Sequence, residues 1–308
     1  MYYSLKKYMN SFFNYLNQII MRILILILAV SLFLLKDVHA QSFAGKDDIK
    51  FWQWYNSKPS VEVTYGNSNI SFGNTGYNFA PSGLIEMNLG FTSKNISDFG
   101  KNIVRYKNRF IFLGYSSTDN STRQTSSGIN SNLWKFGFGN KSGYGVSLSK
   151  TASILPYSSS TFNWSNFNYN KPNDINSNIS EQEYYAAIDN MAGVFRFGSS
   201  FEAGINLNVI KGFSIQPKYE IADIFPRHLV GYQMMSSAIE LTGFTMLEMF
   251  TKKIIRNSPV AGTFVNFLLL NAYQYGFYQL KKDQMFWPFT STAPLRYETF
   301  KLGMTFVF

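Results

Sequence analysis

The last twelve residues of the chain, Tyr297 to Phe308, alternate between apolar and mostly polar side chains. Because successive side chains of a β-strand point to opposite faces, this spacing predicts a strand with two different faces. A stripe of large apolar side chains invites association in water, whereas a face that meets lipid avoids that problem. The alternation therefore predicts a strand in the wall of a membrane β-barrel. Its outer face would consist of Phe300, Leu302, Met304, Phe306 and Phe308.

Seven further segments have the character of barrel strands. Arg109 to Tyr115 is apolar on both faces, and the other six alternate. The last two of these flank Lys211-Gly212, which predicts a hairpin with a tight turn. With the closing strand, the sequence predicts an all-β, antiparallel, up-and-down membrane barrel of about eight strands. The six alternating segments are residues 61–65, 85–91, 134–138, 144–148, 201–209 and 213–221.

The connections between the predicted strands alternate in length. The turns after the second, fourth and sixth strands are residues 95–108, 139–143 and 210–212. The remaining connections, which include the two longest, are residues 67–82, 117–130, 151–193 and 223–295. Membrane barrels have short turns at one rim and long loops at the other, so this order supports the strand count. Stretches rich in Asn and Ser, such as Asn163 to Asn178, are typical of solvent-facing loops.

The chain resembles bacterial outer-membrane β-barrel proteins, in particular small ones from Bacteroidota-like genomes. The resemblance covers residues 60–222 and 296–308, and the alternation and the terminal phenylalanine carry it. It implies a Gram-negative outer membrane as the location. It also implies two partners, which are outer-membrane lipid and the barrel-insertion machinery that reads a terminal aromatic residue. Met304, Phe306 and Phe308 would form that insertion signal.

Residues 1–40 are predicted to be a secretory signal peptide. An apolar run, Ile23 to Leu35, follows Met21-Arg22, and Val38-His39-Ala40 offers the small residues that signal peptidase needs. The run is short for a membrane-spanning helix, and the alternative is a single membrane anchor. Residues 1–20 make the leader unusually long, so Met21 is the possible true start. Export of the chain follows from this interpretation.

The sequence divides the exported chain into two parts. Residues 41–59 are irregular and form a predicted N-terminal periplasmic segment, which contains the aromatic cluster Phe51 to Tyr55. Residues 60–308 form the predicted barrel. Residues 226–285 within it are a predicted helical insert before the last strand.

Composition excludes some classes of site. The chain has no cysteine, so disulfides and thiolate metal sites are impossible. Aromatic residues make up 18% and charged residues 15%, as suits a lipid-facing wall. Without residues 1–40, the chain keeps 24 of its 28 basic and 17 of its 18 acidic residues, a net charge of +7. The basic residues are scattered, so we expect contact with lipid headgroups and pairing in the lumen, and no nucleic-acid partner.

The helical insert is the part of the chain that departs from alternation. Its spacing predicts two helices on either side of Arg256 to Ser258, with Pro259 at the first position of the second. One alternative makes residues 271–280 another strand, which would give ten strands with a partner. A second alternative is a membrane-spanning helix. The amphipathic helix at residues 238–256 would need an apolar partner, which is its neighbour helix, the outer leaflet or another protein.

The inward faces of the predicted strands carry charges of both signs. Buried charges must pair or hydrogen-bond, and an eight-stranded barrel is just wide enough for its own side chains. We therefore predict a structural network in the lumen, and a proton or solute path is the alternative. The predicted lumenal charge network consists of Glu62, Glu86, Lys135, Glu202, Lys218, Glu220 and Lys301.

One weak set of catalytic candidates lies near the start of the insert. His228 is followed by Ser236, Ser237 and Glu240, which together contain the residue types of a Ser/His/acid set. Small outer-membrane barrels include lipid A deacylases with such a set, but there His and Ser lie two residues apart on a strand. Here the spacing is eight or nine on a predicted helix, so a polar surface role is the simpler interpretation. The sequence contains no metal-ligand cluster or phosphate-binding loop, so no cofactor or metal is predicted.

These observations leave three hypotheses for function. The first is a non-enzymatic surface barrel that acts as a structural, adhesive or complex-forming component through its long outer loop and helical insert. The second is a lipid A-modifying enzyme of the outer membrane, and the third is a small-solute channel. The helical insert is the predicted contact surface for a protein partner.

Overall fold

The computed structural model describes residues 57–73, 79–122, 128–149, 151–172, 179–227 and 229–308. Eight strands and three α-helices lie within them, and a short 3-10 turn at Thr118–Asn120 follows the third strand. The strands are β1 (Lys58–Phe72), β2 (Ser82–Ile96), β3 (Ile103–Ser117), β4 (Ser131–Ser147), β5 (Ser153–Tyr169), β6 (Phe195–Ile210), β7 (Phe213–Ile224) and β8 (Leu295–Val307). The helices are α1 (Ile179–Asp189), α2 (Val230–Asn257) and α3 (Pro259–Leu280).

Each strand pairs antiparallel with its neighbour in the chain, and β8 pairs with β1 to close the barrel. The closing ladder runs from Ser60 opposite Val307 to Phe72 opposite Leu295. A row of paired residues that starts at Phe306 passes once around the barrel and returns to β8 at Arg296, ten residues away. This stagger tilts the strands against the barrel axis. The predicted all-β, eight-stranded, antiparallel barrel is confirmed.

Alternation divides the wall into two faces, as the sequence predicts. Outward side chains such as Val63, Met87, Leu113, Phe136 and Leu302 are each about half exposed. Most of their inward neighbours are polar or charged, with Phe112 an apolar exception, and they are buried. The outward apolar residues together form an apolar band on the wall.

One predicted boundary within the wall is wrong. The spacing predicts two strands at residues 134–138 and 144–148 with a turn at 139–143. In the structure, residues 131–147 form the single strand β4, and the turn lies at 148–152. The glycine-rich sequence between the two predicted strands imitates a turn. A Cβ on Gly137 would lie 2.1 Å from the carbonyl oxygen of Phe162, so this glycine serves close approach to β5.

Strand β5 lies inside the connection predicted at residues 151–193. Its sequence is rich in Ser and Asn, and Asn163, expected in a loop, points into the lumen. The outward residues Ser158 and Ser160 are polar, so they interrupt the apolar face that Phe162 and Trp164 form farther along the strand. The merging of two predicted strands and the addition of this one leave the count at eight.

The two rims differ as predicted. Residues 97–102, 148–152 and 211–212 connect strands at one rim, which we name the short-turn rim. The connections at the opposite, long-loop rim are residues 73–81, 118–130, 170–194 and 225–294. Helix α1 belongs to the third of these, and the pair α2 and α3 belongs to the fourth.

The insert before the last strand is helical, as predicted. Helix α2 has 28 residues and α3 has 22, with Pro259 at the start of α3. Residues 271–280 are part of α3, so the alternative of ten strands is wrong. Among the described residues, no helix combines the length and the apolar character needed to cross a membrane.

The predictions for the N-terminal part of the chain lie outside the described residues. This applies to the signal peptide, to Met21 as the start and to the aromatic cluster Phe51 to Tyr55. They stay predictions from the sequence.

The insertion signal predicts an effect on assembly that is separate from stability. Phe308 is 71% exposed, and its backbone N–H donates to the Pro59 carbonyl oxygen at 3.0 Å. We expect Phe308→Ser to reduce the amount of heat-modifiable, folded barrel in outer-membrane fractions, because the terminal aromatic residue is gone. Phe300→Ser is the control, since Phe300 is similarly exposed on the same face. Equal losses in both variants would contradict the signal.

Candidate functional site

Eight charged side chains converge in the middle of the lumen, and their formal charges cancel. Each is no more than 5% exposed. Every one of them has a partner of opposite sign within 3.5 Å. We name this set the lumenal network, and it consists of Glu62, Glu86, Glu202, Glu220, Lys135, Lys141, Lys218 and Lys301.

Glu62 joins one side of the network. Its carboxylate accepts from Lys141 Nζ at 2.5 Å and from Lys218. The Asn88 amide and the Thr305 hydroxyl donate to the same carboxylate at 3.2 and 3.1 Å. The Thr64 hydroxyl donates as well, at 3.2 Å. A buried carboxylate is stable only when its lone pairs are satisfied, and these five donors satisfy those of Glu62.

A second group of pairs links opposite sides of the barrel. Lys135 bridges Glu86 at 2.8 Å and Glu220 at 3.1 Å. Lys301 lies 2.7 Å from Glu220 and 3.2 Å from Glu86. Glu202 accepts from the Tyr157 hydroxyl at 3.1 Å and lies within ion-pair distance of two lysines. The lumenal residues predicted from sequence are therefore brought together in one place.

Lys141 is the member that sequence reasoning missed. It lies in the stretch predicted to be a turn, and it is 1% exposed inside the lumen. Its position continues the alternation of Lys135, Gly137 and Gly139, and that spacing was the available signal. With Lys141, the acids and the lysines of the network balance.

Apolar residues close the lumen at the long-loop rim. Tyr184, Tyr185 and Ile188 of α1 pack among inward residues of the strands, including Leu133 and Phe167. Helix α1 therefore lies over the mouth of the barrel.

The end of α1 is bound to the rim of β5. Lys171 Nζ lies 2.6 Å from Asp189, and the Tyr169 hydroxyl donates to Asp189 at 2.5 Å. These hydrogen bonds, first that of Lys171, lower the pKa of Asp189. Asp189 is exposed, so this contact tethers the helix and adds little stability.

The rest of the lumen is also filled. Toward the short-turn rim, Tyr106, Leu155 and Tyr157 form a buried cluster. Beside the network, a cavity of about 10 Å³ is lined by residues that include Lys135 and Glu220. That volume is at the lower limit for one water molecule. The described lumen is thus a packed interior.

The network predicts unequal costs for two lysine substitutions. Lys141→Met should lower the free energy of unfolding by about 3–5 kcal/mol, because it leaves Glu62 with a single lysine in a buried place. Lys171→Met is the control: its pair with Asp189 is roughly half exposed, so the loss should be below about 1 kcal/mol. Urea unfolding in lipid vesicles, followed by tryptophan fluorescence, measures both. Similar losses of unfolding free energy in both variants would show that the pairing of Glu62 with Lys141 does not stabilise the barrel.

Helix α3 packs against the outside of the wall. Ser160 of β5 alternates with the inward Thr161 and so faces outward, and Gln274 donates to its hydroxyl at 3.4 Å. The Tyr278 hydroxyl donates to Ser199 of β6 at 3.2 Å, and the Tyr278 ring packs on Phe201. The helix therefore covers outward residues of β5 and β6.

The tip between α2 and α3 lies at the short-turn rim. Ile255 is fully buried among Ile103 and Tyr144. The guanidinium of Arg256 lies 6.0 Å from the ring centre of Phe99, which belongs to the turn after β2. Since Tyr278 lies near the opposite rim, α3 extends over the height of the barrel.

A buried ion pair fixes the upper end of α3 to the wall. Asp223 and Arg296 both face outward, and they are 0% and 1% exposed because α3 covers them. Arg296 donates to the two carboxylate oxygens at 2.7 and 2.8 Å, a bidentate arrangement. Its Nη2 also donates to the Tyr278 carbonyl oxygen at 2.6 Å, near the end of the helix. Helix and wall thus share one charged contact.

The weak catalytic candidates have structural contacts. The Ser236 hydroxyl donates to the Trp287 carbonyl oxygen at 2.7 Å, and Glu240 lies 2.6 Å from Lys281 Nζ. Ser237 is exposed, and His228 lies outside the described residues. Within the described part of the chain, no group of three acidic or imidazole side chains is placed to hold a metal ion.

The ion pair between Asp223 and Arg296 predicts that one substitution lowers the stability of the protein and that a second substitution restores it. Arg296→Met should lower the free energy of unfolding by about 3–5 kcal/mol, because it leaves a buried carboxylate without its cation. Adding Asp223→Leu should recover most of that loss, since both charges are then gone. Lys252→Met is the control, because its pair with Glu248 is about one-third exposed. A double variant no more stable than Arg296→Met would show that the unpaired carboxylate of Asp223 is not the cause of the loss.

The closed sheet, its apolar outer band and its charged, packed interior define the class of outer-membrane β-barrels. Outward aromatic residues gather on β4 to β6 at about the height of the lumenal network, within the apolar band. These are Phe136, Phe138, Phe162, Trp164 and Phe197.

Comparisons with known proteins add limited information. No protein-family model matches the chain, and no curated protein matches its sequence. Neisserial surface protein A has a similar structure, with a TM-score of 0.36 and 8% identity over 81% of this chain and 97% of its own. The attachment invasion locus protein Ail of Yersinia pestis has a TM-score of 0.32 and 9% identity, covering 82% and 99%. With scores this low, neither likeness decides the function of the chain.

Proposed function

We propose that the protein is a non-conducting structural barrel of the bacterial outer membrane, with a part in complexes at the cell surface. The neutral, packed lumen is the observation that carries this proposal. A channel needs a wet path along its axis, whereas here buried ion pairs and apolar clusters follow one another from rim to rim. The interior therefore serves stability.

The location follows from three features of the chain. The predicted signal peptide supplies export, and the apolar band requires lipid. The closing strand adds the outward residues Phe300, Leu302, Met304 and Phe306 to that band. A location in the outer membrane accounts for all three.

The contact surface for partners is the long-loop rim. It carries α1 and the connections 118–130 and 170–194. The helical insert, which the sequence predicts as a contact surface, packs along the wall. A protein partner is therefore expected to meet α1 and the loops around it.

The lumen predicts a simple electrical result. The purified protein, inserted in planar lipid bilayers, should give no unitary currents, because ion pairs and side chains fill its interior. A trimeric porin in the same bilayers shows that insertion and detection work. Regular unitary currents that depend on the presence of this protein would overturn the structural proposal in favour of a channel.

The proposed part of the protein in complexes is tested by co-purification. Extraction of outer membranes with mild detergent should yield the barrel with a stoichiometric protein partner. Isolation as a monomer with bound lipid would instead favour the lipid-modifying hypothesis, for which His228→Ala and mass spectrometry of lipid A provide the decision.

A further inference from the structure

We propose that the hairpin of α2 and α3 lies within the bilayer beside the barrel, with lipid acyl chains as the occupant of its outer surface. The proposal rests on the membrane location proposed above, and it concerns a surface that the barrel wall itself does not provide. Three observations carry it: the length of the hairpin, the distribution of its polar residues and the position of its charges.

The hairpin matches the thickness of a bilayer. Helix α3 lacks the apolar character to cross a membrane alone, but its polar side lies against the wall, so only its other side would meet lipid. At 1.5 Å per residue, the 22 residues of α3 extend about 33 Å, close to a hydrocarbon core of about 30 Å. One end lies at the short-turn rim, where Ile255 packs on Tyr144. The other lies near the long-loop rim, where Arg296 binds the Tyr278 carbonyl. A barrel that spans the membrane therefore places α3 at the same depth as its strands.

The polar residues in the middle of α3 face the protein together with Leu270, Phe277 and Tyr278, and the residues that face outward are mainly apolar. Thr263, Asn266, Asn271 and Gln274 are all buried, at 8% exposure or less. Each makes a hydrogen bond to its own helix, to α2 or to the wall. The exposed side chains include Phe264, Leu268, Leu269 and Tyr275. A surface helix in water would instead expose its polar residues.

Helix α2 continues the same surface. Its exposed side chains include Met235, Ile239, Met246, Met249 and Phe250. Both of its acidic residues are paired, Glu248 with Lys252 and Glu240 with Lys281. The surface of the two helices is therefore apolar and continuous with the band of the wall.

Basic residues mark the two ends of the hairpin. Lys252, Lys253 and Arg256 lie near the tip at the short-turn rim, and Lys282 follows α3 at the other end. Long basic side chains at the ends of membrane segments reach the headgroups while their stems stay in the apolar region. Charge at the ends and apolar surface between them fit a lipid bilayer.

The wall beneath α3 is suited to a helix and not to lipid. Ser158 and Ser160 face outward on β5, where other strands present Phe, Leu or Met. Helix α3 buries the first and hydrogen-bonds the second. The helix thus replaces lipid on this side of the barrel and presents its own apolar surface to the acyl chains.

The absence of cysteine in the chain allows a direct test. Single variants Met246→Cys and Leu268→Cys, labelled with a fluorophore, are reconstituted in phosphatidylcholine vesicles that contain a doxyl quencher on the acyl chain. We expect both labels to lose fluorescence as strongly as a label at Leu302→Cys on the wall. A fluorophore at Lys171→Cys, in the exposed loop of the long-loop rim, should keep its fluorescence. Before it is labelled, the cysteine of this variant should react with water-soluble maleimide.

Each other outcome overturns the proposal and identifies the alternative. Rapid reaction of the Met246→Cys and Leu268→Cys variants with water-soluble maleimide would place the hairpin in water. A cysteine that neither reacts with maleimide nor gives a quenched label would mean that another protein covers the hairpin. A disulfide-linked dimer of the Met246→Cys variant would mean that a second copy of this chain covers it. Leu302→Cys separates this inference from the proposed function: loss of quenching there would refute the membrane location itself.

Discussion

Closure of the sheet is the constraint on which the structure depends. A backbone N–H or C=O in the hydrocarbon core has no water to bind, so a membrane sheet has to pair its first strand with its last. The ladder between β1 and β8 does this, from Ser60 and Val307 to Phe72 and Leu295. The long connection that contains α2 and α3 must end where β8 can enter that ladder. The hairpin runs down the wall and back, so the chain is again at the long-loop rim where β8 begins.

Closure with eight strands leaves a narrow interior, and charge neutrality decides what can fill it. Glu62 satisfies Lys141 and Lys218, while Lys301 links Glu86 and Glu220. Buried charges on the outer surface are also paired: Asp223 binds Arg296, and α3 covers both. Charges elsewhere on the hairpin lie in pairs or near its ends. The barrel thus offers lipid an apolar surface on both its strands and its helices.

Alternation made the barrel, its closing strand and seven members of the lumenal network predictable, because a strand with one face in lipid and one in the lumen has period two. It failed where another element replaced lipid. Ser158 and Ser160 interrupt the apolar face of β5 beneath α3, so the sequence of that part of the strand resembles a loop. Lys141 was missed for a different reason, since the glycines around it allow close approach to β5 and imitate a turn. Two helices were predictable from their spacing, but their place on the wall depends on contacts between residues far apart in sequence.

Hydrogen–deuterium exchange of the protein in lipid nanodiscs tests the central claim most directly, because it reports on strands and helices in one experiment. A barrel with a hairpin embedded beside it predicts slow exchange in α3 and in the facing strands β4 to β6, with faster exchange confined to the connections at the two rims. The exchange of α2 should also be slow, since lipid and α3 surround it. Exchange of α2 and α3 as fast as that of the loops, with the strands still protected, would contradict the account.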